Sequence, residues 1–269
     1  MDINTVTGYR RPTRRSELLP LAPGEAVLAG GSWLFSEPQP GVQGLVDLDG
    51  LGWPSITDGP DGLTIAATCT IETLAAWPRS PQRPAVALFR RCAHSLLGSF
   101  KVHRVATVGG NLCMSLPAGP MISLTTALDG TVQLWSGDEP DRLVPVTEFV
   151  LAPLTNALRP GEVVRSIHLP DLALRARVAF RQLSLSPVGR SAALLIGRVD
   201  PDGSTVLTVT AATPAPVQLR FPALPTAAEL DDAVATIDPW YDDPHGTPDW
   251  RRAISRRLAA EIRDELEQA

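Results

Sequence analysis

Two pairs of adjacent glycines are the residues of this chain best suited to holding a ligand. The first pair lies in Leu-Ala-Gly-Gly-Ser-Trp-Leu-Phe at residues 28–35, and the second in Thr-Val-Gly-Gly-Asn at residues 107–111. Glycine lets a backbone approach a ligand closely, and amide N–H groups exposed in such a loop attract phosphate oxygens. A lone glycine pair more often makes only a turn, but two pairs in one region predict a site for a phosphate-bearing ligand.

Other nucleotide-binding and catalytic motifs are absent from the sequence. It has no P-loop, since its only lysine is Lys101, and no Gly-x-Gly-x-x-Gly at the end of a predicted strand. It also lacks a nucleophile elbow, a zinc motif and a plausible carboxylate pair, and its four histidines are scattered. We therefore predict no catalytic residue and no metal ligand in this chain.

Strands and helices alternate around the two glycine pairs. Predicted strands cover residues 26–29, 44–48, 63–67, 131–135 and 162–169, and predicted helices cover residues 71–77, 84–96 and 121–128. The first strand runs directly into the first glycine pair, so we expect it to be followed by a loop whose backbone is not covered by side chains. This mixed order indicates α and β elements packed in layers.

The last third of the chain has a different pattern. Successive β-like runs cover residues 178–183, 192–199, 206–211 and 217–221, which predicts an antiparallel meander. A long helix is expected from Pro248, because apolar residues then recur every four positions from Trp250 to Leu266. Its arginines are interpreted as a solvated face, with a partner surface as the alternative; they are Arg251, Arg252, Arg256, Arg257 and Arg263.

Composition limits the possible partners and compartments. The chain has 269 residues, enough for about two domains, and its net charge of −5 provides no positive field for nucleic acid. Without an apolar run of signal-peptide or membrane-span length, we expect a cytoplasmic protein. Cys69, Cys92 and Cys113 are odd in number and far apart, which indicates reduced thiols and too few ligands for an iron–sulfur cluster.

Five ordered motifs resemble those of a known family. They are Ala-Gly-Gly-Ser-x-Leu at 29–34, Leu-Val-Asp-Leu at 45–48, Ala-Thr-x-Gly-Gly-Asn at 106–111, Ala-Leu-Asp at 127–129, and Gly-Glu followed by Ile-x-x-Pro at 161–170. Over nearly its whole length the chain resembles the FAD-binding medium subunit of molybdenum hydroxylases such as carbon monoxide dehydrogenase and xanthine dehydrogenase. The resemblance implies an α+β fold: a two-lobed FAD-binding domain of PCMH type with α/β lobes at 1–172, then a small α+β C-terminal domain with an antiparallel sheet and helices at 173–269.

The resemblance also implies roles for individual residues. Residues 28–35 would wrap the FAD diphosphate, residues 107–111 would hold the diphosphate and ribityl region, and a cation at Arg181 would lie near the flavin. Leu97 and Val164 would make apolar contacts to the cofactor, although they could equally be core residues, and Arg181 could be an ion-pair partner. The predicted cofactor-binding residues are Leu28, Ala29, Gly30, Gly31, Ser32, Trp33, Leu34, Phe35, Leu97, Thr107, Val108, Gly109, Gly110, Asn111, Val164 and Arg181.

Some positions depart from the family pattern. His103 and Arg104 replace a usual Arg-Asn pair, and Pro120 replaces an aspartate that hydrogen-bonds to the cofactor. Proline offers neither a carboxylate nor an N–H. One such hydrogen bond contributes about 0.5–1.5 kcal/mol, so we expect affinity to fall roughly threefold to tenfold without loss of the site.

The resemblance implies an electron-transfer subunit. FAD would take electrons from a 2Fe-2S small subunit and pass them to an external soluble acceptor, while a molybdopterin-binding large subunit oxidises the substrate. Molybdopterin and 2Fe-2S clusters are expected only in those partners. Two alternatives are a structural subunit with a weakened or lost FAD site and a self-contained flavoprotein oxidoreductase.

Overall fold

The fold was examined in a computed structural model, which describes residues 3–137, 139–186 and 189–268. The strands are β1 (Gly8–Arg10), β2 (Glu25–Leu28), β3 (Gly44–Asp47), β4 (Ile56–Gly59), β5 (Gly62–Ala66), β6 (Thr131–Trp135), β7 (Arg142–Pro145), β8 (Val150–Ala152), β9 (Thr155–Asn156), β10 (Val163–Pro170), β11 (Arg177–Ser184), β12 (Ser191–Val199), β13 (Thr205–Thr210) and β14 (Val217–Phe221). The helices are α1 (Arg15–Leu18), α2 (Ile71–Ala75), α3 (Ala87–His94), α4 (Phe100–Val105), α5 (Val108–Met114), α6 (Pro120–Ala127), α7 (Val146–Phe149), α8 (Asp171–Leu174), α9 (Ala227–Ala235) and α10 (Pro248–Gln268). No helix in these ranges has the length and apolarity needed to cross a bilayer.

The first lobe is a small parallel sheet with the strand order β1-β3-β2. Leu18, Val46 and Leu48 form its core together with Val163 from the second lobe. Because β2 ends at Leu28, the first glycine pair leaves the sheet immediately beyond its carboxyl end.

The second lobe is an antiparallel sheet with the order β4-β5-β10-β6-β7. Helices α2, α3, α5 and α6 share a hydrophobic core with this sheet. The central strand β10 has a bulge between Val164 and Ser166, where the carbonyl of Arg165 accepts a hydrogen bond from Ala67 N. Val163 therefore packs into the core of the first lobe, whereas Val164 packs into the core of the second lobe.

The third sheet is the antiparallel meander β11-β12-β13-β14. Helices α9 and α10 share a core with one face, which includes Leu195 and Val209, while Leu194 and Ile196 on the other face join the core of the second lobe. All nine residues of β12 are buried because both faces are covered. Double coverage explains why residues 192–196 form an unbroken apolar run instead of alternating with polar residues.

The predicted fold class and most predicted elements are confirmed. Every predicted strand overlaps an observed one, with ends that differ by at most one residue. Residues 84–96 were expected to form one helix, but they form a 3-10 turn (Pro84–Val86) followed by α3. The elements that were not predicted are strands β1, β4, β7, β8 and β9 and helices α1, α4, α5, α7, α8 and α9.

The interpretation of Arg251 as a solvated residue is wrong. Its side chain is 1% exposed, since position 251 lies on the same face of α10 as the buried Ser255 and Leu258. The guanidinium donates to the carbonyl oxygens of Ala192 and Ala211 and forms an ion pair with Asp243 at 2.5 Å. Helix α10 is thereby fastened to the third sheet through a buried charge.

Asp129 connects the second lobe to the third sheet. Its carboxylate accepts hydrogen bonds from Arg198 at 2.5 Å, from Arg220 at 2.5 Å and from Gln218 at 3.0 Å. Burial alone would raise the pKa of Asp129, but the hydrogen bonds from Arg198 and Arg220 outweigh it and hold this pKa below its usual value. The last residue of the Ala-Leu-Asp motif therefore has a structural role.

We expect Asp129→Asn to lower the free energy of unfolding by about 1–3 kcal/mol, because the nearly buried Arg198 loses one of its two charged partners and keeps only Asp200. A carboxylate with a lowered pKa stabilises the fold above the unfolded-state pKa of about 4, and this contribution is lost as the pH falls through the folded-state pKa. The difference between wild type and variant should therefore shrink below about pH 4. Urea unfolding at several pH values, with the exposed Asp232→Asn as control, tests this; an equal loss at every pH would contradict it.

Candidate cofactor site

A cleft of about 830 Å³ lies between the first two lobes, with a contribution from the third sheet. This volume falls within the range of roughly 300–1,000 Å³ that is typical of small-molecule and cofactor sites. Predicted site residues that line it are Ala29, Gly30, Gly31, Ser32, Trp33, Leu34, Leu97, Thr107, Gly109, Gly110, Asn111 and Val164. The two glycine motifs, which are far apart in sequence, therefore meet in one cavity.

The first glycine motif presents free N–H groups at the cleft wall. Phe35 N donates to the carbonyl of Gly31 at 2.9 Å, and Ser36 N donates to the carbonyl of Trp33 at 2.8 Å, so residues 31–36 form consecutive turns. Within the described ranges, the N–H groups of residues 31–34 have no hydrogen-bond acceptor. Four neighbouring donors without acceptors are well suited to the oxygens of a diphosphate.

Both glycines of this motif are required by packing. A Cβ on Gly30 would lie 1.6 Å from the carbonyl oxygen of Val105, at the end of α4. Gly31 has a φ of +67°, and a Cβ there would lie 2.4 Å from the ring of Phe35. These glycines let the loop fold against α4 and against its own aromatic residue.

The second glycine motif is a helix start, which corrects the expectation of a loop. Thr107 is the N-cap of α5. The N–H groups of residues 108–111 donate, in order, to Cys69 O, Ala67 O, Thr107 Oγ1 and the Thr107 carbonyl, at 2.9–3.1 Å. Because these backbone donors are already paired, any contribution of this motif to binding comes mainly from its side chains.

Asn111 is the side chain of the second motif best placed to bind a ligand. Its Oδ1 accepts a hydrogen bond from Met121 N at 3.0 Å, which fixes the orientation of the amide and supports the first turn of α6. Its Nδ2 has no acceptor among the residues that the structure describes. The side chain thus brings an oriented hydrogen-bond donor to the cleft wall.

Four predicted site residues do not line the cleft, namely Leu28, Phe35, Val108 and Arg181. Val108 belongs to the core of the second lobe, and Phe35 packs against Gly31. Arg181 binds Glu261 at 3.1 Å and Glu265 at 2.6 Å, both on α10. The structure therefore does not bring this cation to the predicted cofactor site, because alternation along β11 directs it to the opposite face of the sheet.

Two charged residues that line the cleft were missed. Glu162 accepts two hydrogen bonds from Arg142 at 2.7 Å, and these lower the pKa of its carboxyl group, so its charge is balanced. Among the described residues, Arg190 is the one lysine or arginine that lines the cleft. It lies between β11 and β12, where no periodicity in the sequence indicates which way a side chain points.

The departures from the family pattern have local explanations. Pro120 is buried at the first position of α6, where its missing N–H leaves no bond unmade, and it does not line the cleft. His103 forms a hydrogen bond between Nε2 and the carbonyl of Leu96 at 3.2 Å. That bond fixes the segment that carries Leu96 and Leu97, which line the cleft wall.

The cysteines are not reactive groups of this site. Burial raises the pKa of Cys69 and Cys113 to about 12 and also raises that of Cys92. All three are therefore protonated at neutral pH and unsuited to nucleophilic chemistry. No cluster of three or more His, Cys, Asp or Glu side chains that could hold a metal occurs in the described part of the chain.

We expect Asn111→Asp to weaken FAD binding at least about tenfold without lowering the midpoint of thermal unfolding. Aspartate keeps the oxygen that accepts from Met121 N, but it replaces the free donor with a negative charge. FAD titration and thermal unfolding measure the two effects, and Asn111→Leu, which loses both functions, should reduce both quantities. Unchanged affinity in the aspartate variant would restrict Asn111 to supporting α6.

Solved structures with the same fold cover almost the whole chain. Quinoline 2-oxidoreductase from Pseudomonas putida 86 matches with a TM-score of 0.82 and 19% identity, covering 97% of this chain and 96% of that chain. Carbon monoxide dehydrogenase from Oligotropha carboxidovorans matches with a TM-score of 0.82 and 22% identity over 95% of each chain. The enzyme from Hydrogenophaga pseudoflava gives a TM-score of 0.79 and 20% identity over 96% of each chain.

Sequence comparisons identify the family. Aldehyde oxidase 2 from Macaca fascicularis is 29% identical over 124 residues, which are 43% of this chain but only 9% of that much longer protein. The family model described as the FAD binding domain in molybdopterin dehydrogenase matches residues 5–172, which are well over half of the chain. The chain therefore belongs to this family of FAD-binding domains, as its sequence motifs predict.

Proposed function

We propose that this chain binds FAD in the cleft and is the electron-transfer subunit of a molybdenum-containing hydroxylase or dehydrogenase. The free N–H groups of residues 31–34 carry this proposal, because they can donate hydrogen bonds to the oxygens of a diphosphate. These residues also lie within the segment that matches the family. The cleft volume and the balanced charge of Glu162 also suit an anionic cofactor.

The cleft has a polar wall and an apolar wall, which would contact different parts of the cofactor. Residues 31–34 would bind the diphosphate through their N–H groups, and Asn111 Nδ2 would donate a further hydrogen bond. Leu97 and Val164 would lie against the less polar part of the cofactor, which would cover Leu97, now 61% exposed. Bound FAD supplies the capacity to accept an electron pair and to release its electrons singly.

Electron transfer requires partners on both sides of the flavin. We propose a 2Fe-2S small subunit as the donor, a molybdopterin-binding large subunit as the site of substrate oxidation, and a soluble acceptor. The name of the family, which refers to molybdopterin dehydrogenases, supports the molybdopterin-binding partner. We also propose a division after residue 172, where the family match ends, with residues 173–269 as the C-terminal domain.

The first test is the absorbance spectrum of the purified chain, followed by titration with FAD. A flavin spectrum, or its appearance on adding FAD, is the expected result, and co-purification of the two partner subunits would separate this function from a self-contained flavoprotein. A colourless protein that binds no FAD, either alone or with its partners, would favour a purely structural subunit.

We expect Ser32→Asp to weaken FAD binding at least about tenfold, because it adds a carboxylate beside the proposed diphosphate site. Ser32 is exposed and lines the cleft, so the change does not disturb packing as a substitution of Gly30 or Gly31 would. Gly41→Asp is the matched control: it adds the same charge at a position with open space around the new Cβ and outside the cleft. Equal affinities in the two variants would move the diphosphate away from residues 31–34.

A further inference from the structure

Arg190 is a cation in the cleft to which neither the motifs nor the fold gives a role. Its guanidinium has no hydrogen-bond or ion-pair partner among the residues that the structure describes. Other arginines have acidic partners: Arg142 is paired with Glu162 at the cleft, and Arg181 with Glu261 and Glu265 on the opposite face of the third sheet. An arginine without an acidic partner at a cofactor cleft is available to an anionic ligand.

Side-chain hydrogen bonds place Arg190 at the wall formed by Leu96 and Leu97. Gln182 accepts a hydrogen bond from Ser95 Oγ at 2.9 Å and donates one to Ser191 Oγ at 2.9 Å. Ser191 directly follows Arg190, and Ser95 directly precedes Leu96. The third sheet is thereby tied to this wall at the point where Arg190 enters the cleft.

Helix α4 separates Arg190 from the proposed diphosphate site. Gly30 packs against the carbonyl of Val105 at the C-terminal end of α4, whereas Gly98 packs against Val102 near the start of the helix. Arg190 is thus tied to the apolar wall of Leu96 and Leu97, which precedes the start of α4. The loop of residues 31–34 instead follows Gly30, which packs on the C-terminal end of α4, so the position of Arg190 suits the ring end of a bound flavin better than its diphosphate.

We propose that Arg190 lies beside the flavin ring and stabilises its negatively charged reduced form, a proposal that rests on FAD binding in this cleft. A flavin that takes up two electrons and one proton gains one negative charge. Arg190 interacts more favourably with that charge than with the neutral oxidised ring, so it binds reduced FAD preferentially and raises the reduction potential. This places on Arg190 the role that the sequence suggested for Arg181.

The test is the two-electron reduction potential of FAD bound to the full chain. Arg190→Gln should lose about tenfold in its preference for reduced over oxidised FAD, which corresponds to a potential about 30 mV more negative. Its affinity for oxidised FAD should change less than threefold, and Arg190→Lys should retain most of the wild-type potential. Arg181→Gln is the matched control, because it removes the same charge on the opposite face of the sheet, and it should leave the potential unchanged.

Each other outcome contradicts the proposal in a distinguishable way. An unchanged potential in Arg190→Gln, or an equal shift in Arg181→Gln, would overturn it. Equal weakening of oxidised and reduced FAD by Arg190→Gln would instead place the arginine at the diphosphate. Failure of the wild-type chain to bind FAD would overturn the proposed function itself, whereas normal binding with unchanged potentials would overturn only the role of Arg190.

Discussion

The close approach of Gly30 to the carbonyl oxygen of Val105 is the constraint on which the cleft depends. No Cβ fits at this contact, so the first glycine loop lies directly on the end of α4. The contact fixes the free N–H groups of residues 31–34 relative to the wall that begins at the other end of that helix.

The third sheet completes the site because it is held to the second lobe by buried charges and by apolar packing. Asp129 receives hydrogen bonds from β12 and β14, while Leu194 and Ile196 enter the core of the second lobe. Because protein interiors are closely packed, these contacts hold the third sheet in a fixed position relative to the second lobe. Arg190 is consequently positioned at the cleft by a sheet that carries neither of the glycine motifs.

The sequence predicted the strands well because their signal is local. Period-two and continuous apolar runs mark sheet faces directly, and the last strand, β14, was predicted with its observed ends. The roles of individual residues were harder to predict where they depend on the direction in which a side chain points. Arg181 and Gln182 differ by one position, yet they point to opposite faces of β11, and only the observed packing of α10 shows which face reaches the cleft. The second glycine motif is a similar case: Thr107 caps α5 and accepts hydrogen bonds from Gly110 N and Asn111 N, two backbone donors that were expected to be free.

A site held by main-chain donors tolerates changes in side chains better than one held by charged residues. The donors of residues 31–34 exist whatever side chains the loop carries, provided that the packing of Gly30 and Gly31 is kept. This explains physically how the chain can keep the cleft with Pro120 at the position where an aspartate was expected, since that proline only begins α6. The side chains that vary around such a site then act chiefly on the properties of the bound cofactor, which is where a free cation such as Arg190 has its effect.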